Sequence, residues 1–199
     1  LVKKSALVKI KRKMKKYLLT AALTIAVSVS AYAQGQVEFD NLATGNPATS
    51  PAIFNTDGTT GLDDNYVAQL WGGADAGSIV PLGATLTFFS ASSGGAGFVN
   101  TAGAAVRTLT GFNAGDTATF VVQVWNPNDG ATYDEAVLVQ GAITGQSLAF
   151  TQVLGGPGTP PSTPPKLTNL QSFNAVMTPV PEPSVIMLGI AGAGLLWFR

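Results

Sequence analysis

The sequence predicts an all-β protein built as a single antiparallel β-sandwich, of the jelly-roll or immunoglobulin-like kind, over residues 34–178. One observation is the composition, which is rich in glycine and in small or β-branched residues. It contains few of the lysines and glutamates that helix surfaces use. A second observation is a series of short runs in which apolar and polar residues alternate. A third is the set of glycine and asparagine turn signals between these runs.

Seven runs are predicted to form strands, and Thr117–Trp125 is the strongest of them. Its even-numbered residues, from Ala118 to Val124, are apolar or small and share one face. Its odd-numbered residues, which include Val121 and Trp125, share the other face. The other six runs are residues 36–40, 66–71, 84–89, 105–109, 147–153 and 170–176.

Turns and one short helix are predicted between these runs. Gly72 and Gly73 end the run 66–71, and Thr132 and Glu135 form a capping box for a helix of one or two turns. The segment 157–165 contains five prolines and is predicted to be an extended surface loop. The remaining turn signals are residues 55–58, 93–95, 113–116, 128–130 and 155–156.

The charge of the chain is distributed very unevenly. The whole chain has 11 basic and 11 acidic residues, but eight of the basic residues precede residue 17. Between residues 34 and 178, ten acidic and two basic residues give a net charge of −8. Phosphate recognition needs clustered lysine and arginine, so this acidic body argues against a nucleic-acid partner. The chain also lacks cysteine, so it forms no disulfide.

The N-terminal end, residues 1–33, is predicted to be a signal peptide with a helical apolar core. A basic region precedes the apolar run 18–29, and Ala31 and Ala33 supply the small residues of a cleavage site after Ala33. Signal peptidase is therefore an expected partner. The true start is expected at Met14, because residues 1–13 add a second basic patch; an extended basic region is the alternative.

The C-terminal end, residues 179–199, is predicted to be a short transmembrane tail. Pro181-Glu182-Pro183 precedes the apolar segment 185–198, and Arg199 follows it. Fourteen residues in a helix rise about 21 Å, which is short of the ~30 Å hydrocarbon core. The terminal arginine fits the cytoplasmic side of a membrane. A simple anchor that is never processed is the alternative.

These C-terminal residues resemble the sorting signal of the PEP-CTERM proteins of Gram-negative, exopolysaccharide-producing bacteria. Pro181-Glu182-Pro183 matches the motif, the segment 185–198 matches the helix, and Arg199 matches the usual basic end in part. The resemblance implies processing by a membrane enzyme of the exosortase type. It also implies transient anchoring in the inner membrane, followed by delivery to the cell envelope, surface or extracellular matrix.

The body also resembles a recurrent type of PEP-CTERM protein. The similar features are a first strand at 37–41, the Asn-Thr-Asp-Gly turn at 55–58 and the Tyr-Val-Ala-Gln-Leu run at 66–70. This resemblance implies fold and localisation and no activity.

Enzymatic activity is not expected of this chain. It has no histidine and no cysteine, which removes the commonest general base and a common nucleophile. Lys166 is the one lysine of the body and lies after the prolines, where burial beside a serine nucleophile is not expected. Glu38 and Asp40 share one face of a strand and could form a glycosidase pair, but a solvated strand face is favoured. The other acidic residues weighed for that role are Asp116, Asp134 and Glu135.

No cofactor is required by the sequence, and calcium is the one metal ion considered. Asp57, Asp63, Asp64 and Asn65 place oxygen donors in a glycine-containing loop, without the spacing of an EF-hand. Turn chemistry explains the same residues, and it is the favoured interpretation.

Two functions are carried forward. The first is a non-enzymatic exported protein of the cell surface or extracellular matrix, sorted through its tail. The alternative is a carbohydrate-binding module for exopolysaccharide, with Trp71, Trp125 and Tyr66 as candidate stacking rings. Strand order, oligomeric state, the ligand and the processing of the tail do not follow from the sequence.

Overall fold

A computed structural model describes residues 34–103, 105–158 and 160–179. The predicted signal peptide at 1–33 and the sorting motif, apolar segment and Arg199 of the predicted tail lie outside the described residues. Within the described part of the chain, no helix has the length and apolar character that crossing a membrane requires.

Strands make up most of the regular secondary structure in the described residues, as the sequence predicts. The two helices are a 3₁₀ turn at Ala91–Ser93 and α1 at Tyr133–Ala136. The strands are β1 (Gly35–Glu38), β2 (Ile53–Phe54), β3 (Val67–Gly73), β4 (Val80–Pro81), β5 (Leu86–Thr87), β6 (Val106–Leu109), β7 (Thr117–Trp125), β8 (Ile143–Gln146), β9 (Phe150–Val153), β10 (Phe173–Asn174) and β11 (Val176–Met177).

One antiparallel sheet of seven strands dominates the fold. Its order is β11-β8-β7-β3-β4, with β5 beside β3 and β9 beside β7. The nine residues of β7 form its centre, and Leu70 of β3 lies opposite Val122 of β7. Two small sheets complete the fold: β1 pairs with β6 antiparallel, and β2 pairs with β10 parallel. The parallel pair departs from the purely antiparallel prediction. The long stretch of chain between β2 and β10 allows them to run in the same direction.

The core lies against one face of the large sheet. Phe120, Val122 and Val124 of β7 are fully buried there, as the alternation in β7 predicts. Val37 of β1 and Leu109 of β6 belong to the same apolar cluster. The seven-stranded sheet and the β1–β6 pair therefore cover one shared core.

The other face of the large sheet is partly covered by α1. Trp125 is 1% exposed, its ring meets Tyr133 edge-on at 6.3 Å, and its Nε1 donates to the Gly130 carbonyl. The predicted capping box is confirmed, because the Thr132 hydroxyl accepts from the Glu135 amide and the Glu135 carboxylate accepts from the Thr132 amide. Local capping thus holds a short helix over an aromatic residue of the central strand.

Several strand boundaries differ from the predictions, and the predicted strand 170–176 is divided into β10 and β11. Gly72 and Gly73 do not follow β3 but are its last two residues, with Gly72 opposite Phe120. A Cβ at Gly72 would contact the Phe120 ring and the Leu82 side chain, so the missing side chain makes room for core packing. Three strands had no predicted counterpart: β2, β4 and β8.

The Pro-rich loop is attached to β1 at both of its ends. Gly156 and Ser162 exchange two backbone hydrogen bonds, which close the loop on itself. Downstream, the Glu38 amide donates to the Pro165 carbonyl, and the Leu167 amide donates to Asp40. The loop is therefore a surface element, as predicted, whose ends are fixed by backbone pairing.

Candidate functional site

The acidic loop at residues 55–65 is the first candidate site, as a calcium ligand set. The Asp57 carboxylate accepts hydrogen bonds from the amides of Thr59 and Thr60 at 3.0 and 2.9 Å, and from the Thr60 hydroxyl. The Asp63 carboxylate accepts from the amide of Asn65 at 3.1 Å and from its side chain. Both carboxylates therefore stabilise the turns in which they lie.

The acidic side chains of this loop do not converge. Across the described ranges, no group of three or more acidic, histidine or cysteine side chains is placed to hold a metal ion. Asp64 is exposed and has no side-chain hydrogen bond within the described structure. The loop thus provides turn geometry, and calcium binding stays an untested prediction.

The hydrogen bonds to Asp57 give the loop a pH dependence. They lower the pKa of Asp57 from 3.8 to about 2, with the Thr60 hydroxyl as the largest cause. Because the folded pKa lies below the unfolded one, this stabilisation is complete above pH ~4 and is lost as the pH falls towards ~2.

We predict that Asp57→Asn is less stable than the wild type at neutral pH and that the difference shrinks between pH ~4 and pH ~2. Urea unfolding of both proteins across that range measures the difference. Asp64→Asn is the matched control, because Asp64 accepts no hydrogen bond, and its difference from the wild type is expected to be small throughout. A difference for Asp57→Asn that is constant with pH contradicts the prediction.

Asp40, which lies two residues after β1, forms an ion pair with Lys166 in the segment after the Pro-rich loop. Lys166 Nζ lies 2.6 Å from Asp40 Oδ2, and the Asp40 side chain is only 9% exposed. The other oxygen of Asp40 accepts from the Leu42 amide at 2.8 Å. The hydrogen bond that Lys166 donates to Asp40 raises the pKa of Lys166, so the lysine is held in its charged form. A charged lysine cannot act as a general base.

The carboxylates considered for hydrolysis are engaged in local structure. Asp40 forms an ion pair with Lys166. Glu38 also lies near enough to Lys166 to raise the pKa of the lysine. Asp116 accepts from the amide of Asn113 at 2.7 Å. Glu135 caps α1. Asp40, Asp116 and Glu135 each have a structural hydrogen-bond partner within the described residues.

The candidate stacking rings have three different environments. Trp125 is buried under α1, which corrects the expectation that its ring is available to a glycan. Tyr66 packs against the core, and burial raises the pKa of its hydroxyl. Trp71 is partly exposed, and its Nε1 is buried with no hydrogen-bond partner in the described part of the chain. Tyr66 and Trp71 are both partly exposed, so these two rings keep some of the accessibility that ring stacking needs.

Sequence reasoning missed the clefts on the described surface, two of which have lining residues that bear on ligand binding. The first, of about 230 Å³, is lined by uncharged side chains, among them the amides of Gln146, Asn169 and Gln171 and the rings of Phe150 and Phe173. These residues come from separate segments of the chain, so no local sequence motif predicts the cleft. The second, of about 420 Å³, is lined mostly by glycine and apolar residues in and around β3, β4 and β6, and its polar side chains are the hydroxyls of Ser78, Thr108 and Thr110.

Exposed apolar side chains gather where the described chain ends. We define the exit patch as Leu138, Val139, Val176 and Met177, which are 81, 40, 62 and 55% exposed. The Thr178 amide donates to Ala142, and the Gly141 amide donates to Thr178, so β11 lies directly beside the turn that follows α1. Four of the eight large apolar residues exposed in the described structure belong to this patch.

Comparison with known proteins gives no relative for this chain. No family model, curated protein or solved structure matches it significantly.

Proposed function

We propose that this chain is a non-enzymatic exported protein of the cell surface or extracellular matrix. The observation that carries the proposal is the combination of two terminal signals on one chain. Ala31 and Ala33 complete a signal-peptide pattern, and Pro181-Glu182-Pro183 opens a short apolar segment ended by Arg199. Signal peptidase and an exosortase-type enzyme would process the two ends in a Gram-negative host.

The position of the β-rich body supports removal of both ends. All eleven described strands lie between Gly35 and Met177, inside the two proposed processing sites. Gly35 is the first residue of β1 and pairs with Leu109. Cleavage after Ala33 and within the tail would therefore leave every described strand in place. Loss of the basic N-terminal region would also leave the strongly acidic body as the delivered protein.

We further propose that the body is a β-sandwich. The support is the shared core, in which residues of the large sheet and of the β1–β6 pair belong to one apolar cluster. The jelly-roll or immunoglobulin-like classification is part of this proposal.

The intact mass of the protein recovered from its native host tests the proposed route. In every recovered form, we expect the mass of a chain that begins at Gln34. We also expect a membrane-bound form with the tail and a delivered form that has lost residues 185–199. A triple alanine variant at Pro181-Glu182-Pro183 is expected to remain in the membrane-bound form. A delivered protein that retains its complete tail contradicts the proposal.

Carbohydrate binding is the second candidate function, and the uncharged cleft beside β8 and β9 is the observation that favours it. Amide side chains and phenyl rings are the groups that bind neutral sugars. A glycan array with the wild type, Gln171→Ala and Trp71→Ala separates the candidates. Binding that Gln171→Ala abolishes places the glycan in this cleft, and loss only in Trp71→Ala places it on β3. No binding to any glycan rejects the second function.

A further inference from the structure

We propose that the exit patch rests on the membrane surface while the tail is still attached. This inference depends on the proposed function, because it requires residues 185–198 to be inserted in a bilayer. The proposed ligand is a lipid surface, and the docking residues are Leu138, Val139, Val176 and Met177.

The first support is the short distance along the chain between the patch and the apolar segment. Seven residues lie between Met177 and Val185, so even a fully extended chain spans no more than about 29 Å between them. Backbone hydrogen bonds hold Thr178 to Gly141 and Ala142, which fixes the end of the described chain to the body. An inserted tail therefore keeps this edge of the body close to the bilayer.

The second support is the position of the patch in the sheet. β11 is one edge of the large sheet, and β4 is the opposite edge. Val80 of β4 is 57% exposed and Met177 of β11 is 55% exposed, but only β11 adjoins the tail and is flanked by further exposed apolar residues. Val176 and Met177 point to opposite faces of the sheet, as successive strand residues do, so β11 presents both side chains to a bilayer that it approaches edge-on.

The net charge of the body indicates which kind of lipid surface it can approach. The body carries a net charge of −8, and Asp134 and Glu135 lie next to the patch in α1. An anionic membrane repels such a body, whereas a zwitterionic one does not. We therefore expect phosphatidylcholine surfaces to be preferred over surfaces that contain phosphatidylglycerol.

A second copy of the chain fits the patch less well. β11 has only two residues, which is too short to extend a sheet across an interface. A stable interface buries about 800 Å² on each partner, contributed by about 20–30 residues, whereas the patch has four side chains.

Fluorescent labels on single cysteines test the proposal cleanly, because the chain has no cysteine of its own. The variants are Met177→Cys and Leu138→Cys on the patch, Val80→Cys on the opposite edge, and Leu195→Cys as a reporter in the tail. Each is recovered from membranes of the producing cells with its tail attached. It is then reconstituted into phosphatidylcholine vesicles with or without a spin-labelled quencher lipid.

We expect a blue-shifted emission and a loss of intensity with quencher lipid at positions 177 and 138, an unchanged signal at position 80 and strong quenching at position 195. Adding phosphatidylglycerol is expected to reduce the quenching at 177 and 138 and to leave that at 195 unchanged. Equal quenching at positions 177 and 80 overturns the proposal, because neither edge of the large sheet is then preferred at the bilayer.

Two further outcomes separate failure of this inference from failure of the proposed function. Quenching at 195 without quenching at 177 and 138 overturns the inference and leaves the inserted tail intact. An absence of quenching at 195 overturns the inserted tail, and the inference with it. Protection of position 177 that appears without lipid and grows with protein concentration shows a second copy on the patch, which also overturns the inference.

Discussion

Phe120→Ala is expected to lower the free energy of unfolding by about 3–5 kcal/mol, the range for truncating a buried phenylalanine. Phe120 is fully buried in the central strand, and its ring lies 5.9 Å from that of Phe150. It also packs over Gly72, whose missing side chain leaves no atoms that could fill the space. The cavity therefore stays open, and the cost is expected at the upper end of the range.

Urea unfolding followed by tryptophan fluorescence measures this loss, since Trp125 lies in the same strand as Phe120. Leu148→Ala is the matched control. Leu148 lies just before β9 and is 78% exposed, so its truncation is expected to change stability by less than about 0.5 kcal/mol. Equal effects of the two substitutions would mean that the face of β7 carrying Phe120 is not the core.

The elements that the sequence predicted well are those with local signals. β7 spans the predicted residues, because its period-2 alternation continues over nine positions. The helix α1 begins where Thr132 and Glu135 form a capping box, which needs only residues three apart. In both cases the information lies within one element, so it can be read without knowing its neighbours.

The features that were missed depend on residues distant in the chain. Gly72 and Gly73 resemble a turn in isolation. The side chains of Phe120 and Leu82 lie against Gly72, and the backbone of Ser78 and Ile79 lies against Gly73, so contacts distant in the chain explain why β3 includes both glycines. Likewise Gly145 interrupts the apolar pattern of β8, although it lies opposite Val124 in the sheet. Strand order and the parallel pairing of β2 with β10 depend on such long-range contacts.

The candidate sites show the same limit. The residue types of the acidic loop were correctly identified as turn chemistry, because an aspartate that accepts from amides two or three residues ahead is a local motif. The ion pair of Asp40 with Lys166 joins two distant segments, and so does the cleft between Gln146 and Phe173. Burial of Trp125 depended on the helix that follows it, which the alternation of β7 alone does not reveal.

Gly155→Ala is expected to destabilise the chain by about 1–3 kcal/mol, the usual cost of forcing extra atoms into a packed region. A Cβ at Gly155 would overlap the carbonyl oxygen of Thr163 and approach the Cα of Pro164 to 2.9 Å. Both are backbone atoms, so no side-chain rotation relieves the contact. Gly155 also exchanges backbone hydrogen bonds with Gln36 in β1, which prevents it from moving away.

The overlap caused by the new Cβ is therefore expected to displace the Pro-rich loop, in which Ser162 exchanges two backbone hydrogen bonds with Gly156. In Gly155→Ala, the Ser162 amide is expected to exchange its hydrogen faster than in the wild type, because its hydrogen bond to Gly156 is weakened. Urea unfolding measures the loss of stability. Gly77→Ala is the matched control. Gly77 is exposed, its nearest contact is the flexible Asp75 carboxylate at 3.3 Å, and alanine there is expected to be neutral within about 0.5 kcal/mol. If Gly155→Ala is equally neutral, the backbone of Thr163 and Pro164 yields freely, and the Pro-rich loop is not held against β1.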